Sequence, residues 1–202
     1  MSLQEIGEKH GTDKATHHHY LDFYERVIQR ERVRRFLEIG VLKGASLRTW
    51  REWLPDSARV EGWDVDSVSP VPGCLIRRVD QTDRLSLQKA CDGFFDYILD
   101  DGAHTARAQQ TSLSFLFPQC RYYVLEDIHA HKTLPYLVEP EDRPTLEILE
   151  SFPKKGWASR YASPAEIEYI HKNMEVVEIF RGSGLPPNPD SITALVRNKR
   201  DA

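Results

Sequence analysis

Apolar runs and segments of helical period alternate along most of the chain. Tyr20, Phe23, Tyr24 and Val27 recur at helical spacing and predict an amphipathic helix over 20–31. "RFLEIG" then predicts a buried strand ending at Gly40, and "ASLRTWREWL" a helix closed by Pro55. "RVEGWDVD" and "LIRRVD" read as further strands, with the helix "LSLQKAC" behind them. "FFDYILDD" is the next strand, "TARAQQTSLSFLF" a helix stopped by Pro118, and "RYYVLEDIH" another strand. A more polar, proline-bearing stretch from His131 to Lys155 predicts no regular element. Pro164 to Asn173 reads as a helix with proline in its first turn. The runs "EVVEIFRG" and "SITALVRN" close the chain as two strands joined by a Gly- and Pro-rich connection.

Strands that are apolar almost throughout, alternating with helices, predict a parallel sheet covered on both faces. The last two strands lack an intervening helix and predict an antiparallel hairpin at one edge. The expected fold class is therefore α/β: a doubly wound, mostly parallel, seven-stranded sheet with an antiparallel C-terminal hairpin. With 202 residues, of which 40% are hydrophobic, one domain spanning 1–202 is expected.

Charge narrows the partners. Twenty-seven Lys and Arg against thirty-one Asp and Glu give a net charge of -4, and no long basic stripe appears, so no nucleic-acid role is expected. The densest basic run, "RERVRRF", reads as a solvated helix end. Three cysteines, odd in number and far apart, fit a reducing compartment. No apolar run approaches the ~20 residues that span a bilayer, and no signal-peptide core is seen, so a cytoplasmic protein without a membrane partner is expected.

The acids are the unusual feature. Glu38, Asp64, Asp80, the pair Asp100-Asp101 and the pair Glu126-Asp127 all fall at or just beyond predicted strand ends. In doubly wound sheets ligands bind at that rim. Clustered carboxylates repel unless a cation or a hydroxyl-rich ligand compensates. The first strand–turn–helix, with Glu38, Gly40, Gly44 and Ser46, has the spacing E-x-G-x-x-x-G rather than G-x-G-x-x-G. A pyrophosphate would be repelled by the glutamate, whereas a cationic nucleoside bearing an amino acid would not. Asp64 is placed to accept ribose hydroxyls, and Asp80-Gln81 to meet an adenine amine. S-adenosylmethionine is the ligand this describes.

The segments "LEIGVLKGASLRTWREWLP", "GWDVD", "VDQTD", "FDYILDDGAH" and "YYVLEDIH" resemble the class I S-adenosylmethionine-dependent methyltransferases. Within these the chain is similar to the metal-dependent sugar O-methyltransferases, which act on antibiotic deoxysugars and on mannosides of methylated polysaccharides. "HGTDKATHHHYLDFYE" resembles that family's N-terminal segment. The resemblance covers residues 8–130 and implies a Rossmann-like methyltransferase fold with a lid formed by about residues 1–31. The expected reaction is transfer of a methyl group to a sugar hydroxyl of a saccharide or glycoside. Self-association into a homo-oligomer is left open.

An alcohol is a poor nucleophile until its proton is leaving, and a divalent cation eases that departure. Asp101, Glu126 and Asp127 can offer three oxygens from neighbouring strand ends, a donor set suited to Mg²⁺ (or Mn²⁺); the resemblance makes these three the metal ligands. His104, three residues after Asp101, shares its rim face if the helix begins there, and matches the family's general base. Asp100 is expected to support the S-adenosylmethionine end or to orient the loop. Tyr20 and His129 are candidate contacts to the acceptor or lid. Two alternatives stay open: an oxidative enzyme on the same scaffold, similar to one linked with cephalosporin hydroxylation, and a non-catalytic subunit that binds S-adenosylmethionine.

Overall fold

Seven strands form one sheet in the computed structural model, which describes residues 1–182 and 191–201. They are β1 (Arg35–Ile39), β2 (Arg59–Asp64), β3 (Cys74–Arg78), β4 (Phe95–Asp100), β5 (Cys120–Leu125), β6 (Met174–Arg181) and β7 (Ile192–Asn198). Their order is β3-β2-β1-β4-β5-β7-β6. The first five run parallel, and β7 lies antiparallel between β5 and β6. This is the doubly wound sheet and C-terminal hairpin that the hydrophobic pattern predicts. The Gly- and Pro-rich connection of the hairpin, residues 183–190, lies outside the described residues.

Successive side chains point to opposite faces, and both faces are buried. Leu37, Ile39, Ile98, Tyr123 and Leu125 face one core, with Leu87, Leu113, Leu149 and Ile170 from the helices α5 (Arg84–Ala90), α6 (Ala106–Leu116), α7 (Thr145–Lys155) and α8 (Pro164–Asn173). Phe36, Val60, Leu99 and Val124 face the other, against α1 (Leu3–His10), α3 (Leu21–Val27) and α4 (Ala45–Trp53). Here Leu3, Tyr20, Phe23, Tyr24 and Trp50 are buried to the last few per cent. The N-terminal segment, with the short α2 (Asp13–Thr16) between its longer helices, is thus a layer of the core as well as a wall of the rim.

Three local readings differ from the sequence expectation. The stretch 131–155 contains α7, whose Leu146, Leu149 and Phe152 keep helical spacing. Pro153 sits in its last turn, where few further backbone bonds depend on it. The expected helix over 20–31 ends at Val27, since Ile28 turns to extended backbone. The basic run is a short 3₁₀ turn, Arg30–Arg32, followed by β1. Arg35, from the same run, forms ion pairs with buried Glu61 and with Asp92. Among the described residues no helix is long and apolar enough to cross a membrane.

Candidate active site

The strand order reverses between β1 and β4, and a cavity of about 680 Å³ opens there at the carboxyl ends of the strands. Its walls come from the turns after β1 to β5 and from Gly11, Thr12 and Asp13 of the N-terminal segment. Gly40 and Gly44, in the turn after β1, have φ of 87° and 75°. A β-carbon on Gly40 would strike the Asp101 carbonyl, so this turn and the one after β4 touch backbone to backbone. Three non-glycine residues lining the cavity also lie in the left-handed region: Leu42 (φ 50°), His104 (φ 55°) and Asp127 (φ 51°). Such conformations cost energy and concentrate at functional sites.

Asp64, Asp80, Gln81 and Ser46, expected at the nucleoside end, all line this cavity. Asp64 Oδ2 accepts from Val41 N (2.8 Å) and Leu42 N (3.0 Å), fixing the turn after β1. Burial would raise Asp64, but the N–H groups of Asp66, Leu42 and Val41 outweigh it and hold the carboxyl low. Asp80 Oδ1 accepts from Thr82 N at 2.8 Å.

Two residues expected at this end stand behind the wall. Glu38 is fully buried, accepts from Ser46 Oγ and leaves Oε2 without a hydrogen bond. Its burial, offset in part by Lys14 and Ser46, pushes its carboxyl up to about 7. Asp100 is also buried and accepts from Ser112 Oγ (2.6 Å), Tyr123 OH (2.8 Å) and Gln81 Nε2 (3.0 Å). Gln81 Oε1 in turn accepts from Ala103 N at 2.9 Å. The Gln81 amide therefore braces the turn after β4 instead of standing free for an adenine.

At the other end Asp101, His104 and Asp127 bring one ligating atom each to within 4.8 Å of one another. His104 Nε2 is 3.8 Å from Asp101 Oδ1 and 3.9 Å from Asp127 Oδ2. Those gaps exceed a direct hydrogen bond and leave room for an atom between the groups. His104 Nδ1 is buried with no hydrogen-bond partner. The residue does not sit on a helix with Asp101: α6 begins at Ala106, capped by Thr105 Oγ1, and the left-handed turn at His104 aims the ring instead.

Glu126 is placed differently from the expectation. It is buried, and its Oε1 and Oε2 accept from Tyr24 OH (2.6 Å) and Lys14 Nζ (2.7 Å), so it stands outside the convergent trio. Burial and the neighbouring Asp101 push Glu126 up, while Lys14 pulls it down. Burial would discharge Lys14, but Asp101, Glu126 and Glu38 more than compensate and hold it protonated. For Asp127, burial is outweighed by His18, His104 and the Tyr20 hydroxyl, which keep its carboxyl low. Tyr20 meets Asp127 Oδ1 (2.8 Å) from the core side, and His129 Nδ1 accepts from Ile192 N (3.1 Å) at the start of β7; neither lines the cavity. Sequence reading missed Lys14, although the G-T-D-K segment that carries it stood out.

This strand order with this rim defines a class I methyltransferase fold. Within that class the chain resembles the sugar O-methyltransferases. It is 28% identical over 90% of its length to the 8-demethyl-8-(2-methoxy-alpha-L-rhamnosyl)-tetracenomycin-C 3'-O-methyltransferase of Streptomyces olivaceus, covering 54% of that protein. It is 33% identical over 62% of its length to the mycinamicin VI 2''-O-methyltransferase of Micromonospora griseorubida, covering 36% of it. The chain spans about half the length, or less, of these curated relatives. Among solved structures, MycE methyltransferase of the mycinamycin pathway, in complex with Mg and SAH, superimposes with a TM-score of 0.76 at 25% identity, over 98% of this chain and 55% of that one. No protein-family model matches.

Proposed function

We propose that the protein is an S-adenosylmethionine- and Mg²⁺-dependent O-methyltransferase acting on a hydroxyl of a saccharide or glycoside. The observation that carries this reading is the convergence of His104 Nε2, Asp101 Oδ1 and Asp127 Oδ2 beside a nucleoside-sized cavity. The relatives' names support it: one names a rhamnosyl-bearing tetracenomycin C and the other mycinamicin VI as what is O-methylated, and MycE was crystallised with Mg and SAH.

The donor set fits the ion, because carboxylate oxygens suit a hard divalent cation. Asp101 and Asp127 would hold it, with Glu126 behind them, engaged by Lys14 and Tyr24. Bound Mg²⁺ would orient the acceptor hydroxyl and lower its pKa. S-adenosylmethionine would supply the methyl group on its sulfonium: the O–CH₃ bond forms as the S–CH₃ bond breaks, and S-adenosylhomocysteine leaves. His104 Nε2 takes the hydroxyl proton during that transfer. Asp64 and Ser46 bind the nucleoside's polar groups, and the Gly40 turn lets it approach the backbone. Asp127, kept ionised, favours the imidazolium that His104 becomes.

An oxidative iron enzyme would ordinarily present two histidines and one carboxylate. The trio here has one histidine and two carboxylates, which favours methyl transfer. The test is labelled S-adenosylmethionine with a panel of deoxysugar glycosides and mannosides, in Mg²⁺ and in EDTA. Label should enter a glycoside in Mg²⁺ only. Absence of S-adenosylhomocysteine binding by calorimetry would remove the cofactor claim, and full transfer in EDTA the metal claim.

A further inference from the structure

Each carboxylate of the acid cluster is held from behind by the N-terminal segment. Lys14, 1% exposed, donates from Nζ to Asp101 Oδ2 and to Glu126 Oε2. Tyr24 OH donates to Glu126 Oε1 at 2.6 Å, and Tyr20 OH to Asp127 Oδ1 at 2.8 Å. What remains is selective. The oxygens of Asp101 and Asp127 left without these donors, Oδ1 and Oδ2, are the two that face His104 Nε2.

The local sequence explains how one segment reaches three acids. Lys14 lies on α2, and Tyr20 and Tyr24 stand at the start of α3 one helical turn apart, on the same face. Both tyrosine rings are buried in the core, so their hydroxyls are delivered by packing and not by a flexible loop. Carboxylates this close repel one another. One ammonium and two phenols offset that repulsion at fixed oxygens.

We propose that Lys14, Tyr20 and Tyr24 are positioning residues of the metal centre, holding Asp101 Oδ2, Asp127 Oδ1 and both oxygens of Glu126 so that Asp101 Oδ1 and Asp127 Oδ2 converge. The inference rests on the metal reading above and adds to it that the ligand geometry is built by the N-terminal segment. A rival role for Lys14 has the opposite sign. If its ammonium only competed with a divalent ion for Asp101 and Glu126, removing it would tighten metal binding.

Calorimetric titration of Mn²⁺ into the chelator-stripped full chain, without S-adenosylmethionine or acceptor, separates these cases. The unsubstituted protein should bind Mn²⁺. Tyr20→Phe, which deletes one hydroxyl and keeps the ring, and Lys14→Met should each weaken binding by about 10- to 100-fold, the usual loss when a partner that orients a metal ligand is removed. Circular dichroism checks folding, and if Lys14→Met does not fold, Tyr20→Phe and Tyr24→Phe decide. Unchanged affinity in the folded variants overturns the proposal, as does tighter binding in Lys14→Met. Should the unsubstituted protein bind no Mn²⁺, the metal reading itself fails, and this inference with it.

Discussion

His104 combines a left-handed backbone, a buried and unpartnered Nδ1, and an Nε2 facing two carboxylates across gaps of 3.8 and 3.9 Å. An imidazole nitrogen beyond hydrogen-bond reach of both carboxylates fits the proposed role of proton acceptor. His104→Ala should therefore lower kcat by about 10²- to 10⁴-fold, the usual contribution of a general base. S-adenosylhomocysteine affinity, measured by calorimetry, should stay within about twofold, because the nucleoside end is built by other residues. Glu38 gives a second prediction. Its folded-state carboxyl is raised from 4.5 to about 7, so the folded state holds a proton that the unfolded state releases. The stability this contributes is present at low pH and is lost as pH rises from about 4.5 through 7. Urea midpoints of EDTA-treated Glu38→Gln should match the unsubstituted protein near pH 5 and exceed it near pH 8. The acids themselves were legible in the sequence because strand ends collect on one rim. Their separate orientations were not, since Glu126 and Asp127 are chain neighbours whose side chains end in different surroundings. Partners from the far N-terminus, Lys14 and Tyr24 on one and Tyr20 on the other, help to tell them apart.

At the scale of elements, the strands were readable because both faces of the sheet are buried and leave long apolar runs. The helices α1 and α7 were not read, for different reasons. In α7 the prolines at 144 and 153 masked a periodic pattern, although one caps the start and the other falls in the last turn. In α1 the signal was a capping box, Ser2 with Glu5, ahead of only a few apolar residues. The same device opens α8, where Ser163 Oγ accepts from Glu166 N and the Glu166 side chain accepts from Ser163 N. Glu166 also pairs with Arg84 of α5, so this cap ties two helices together. Ser163→Ala should cost about 0.5–2 kcal/mol in urea denaturation, with the slope of the transition unchanged.

For the whole molecule, the decisive fact is that the N-terminal layer serves two purposes. It fills one face of the sheet through Leu3, Leu21, Phe23 and Ile28, and it orients the acids through Lys14, Tyr20 and Tyr24. Fully burying such an apolar side chain is worth about 1.5–3 kcal/mol, against a net stability of ~5–15 kcal/mol for an ordinary domain. Deleting residues 1–28 should consequently give insoluble or unfolded protein, assayed by expression and circular dichroism. A soluble, folded truncation would show that the segment is a detachable cover instead.

The contact between Gly40 and the Asp101 carbonyl bears on how this site can be re-engineered. Because the turns after β1 and β4 abut without side chains between them, a change of backbone in one turn is passed to the other. Libraries seeking new acceptors should leave 40 and 101–104 untouched. Leu134 and Tyr136, solvent-facing between the acid pair and α7, can by contrast be changed with both turns left in place.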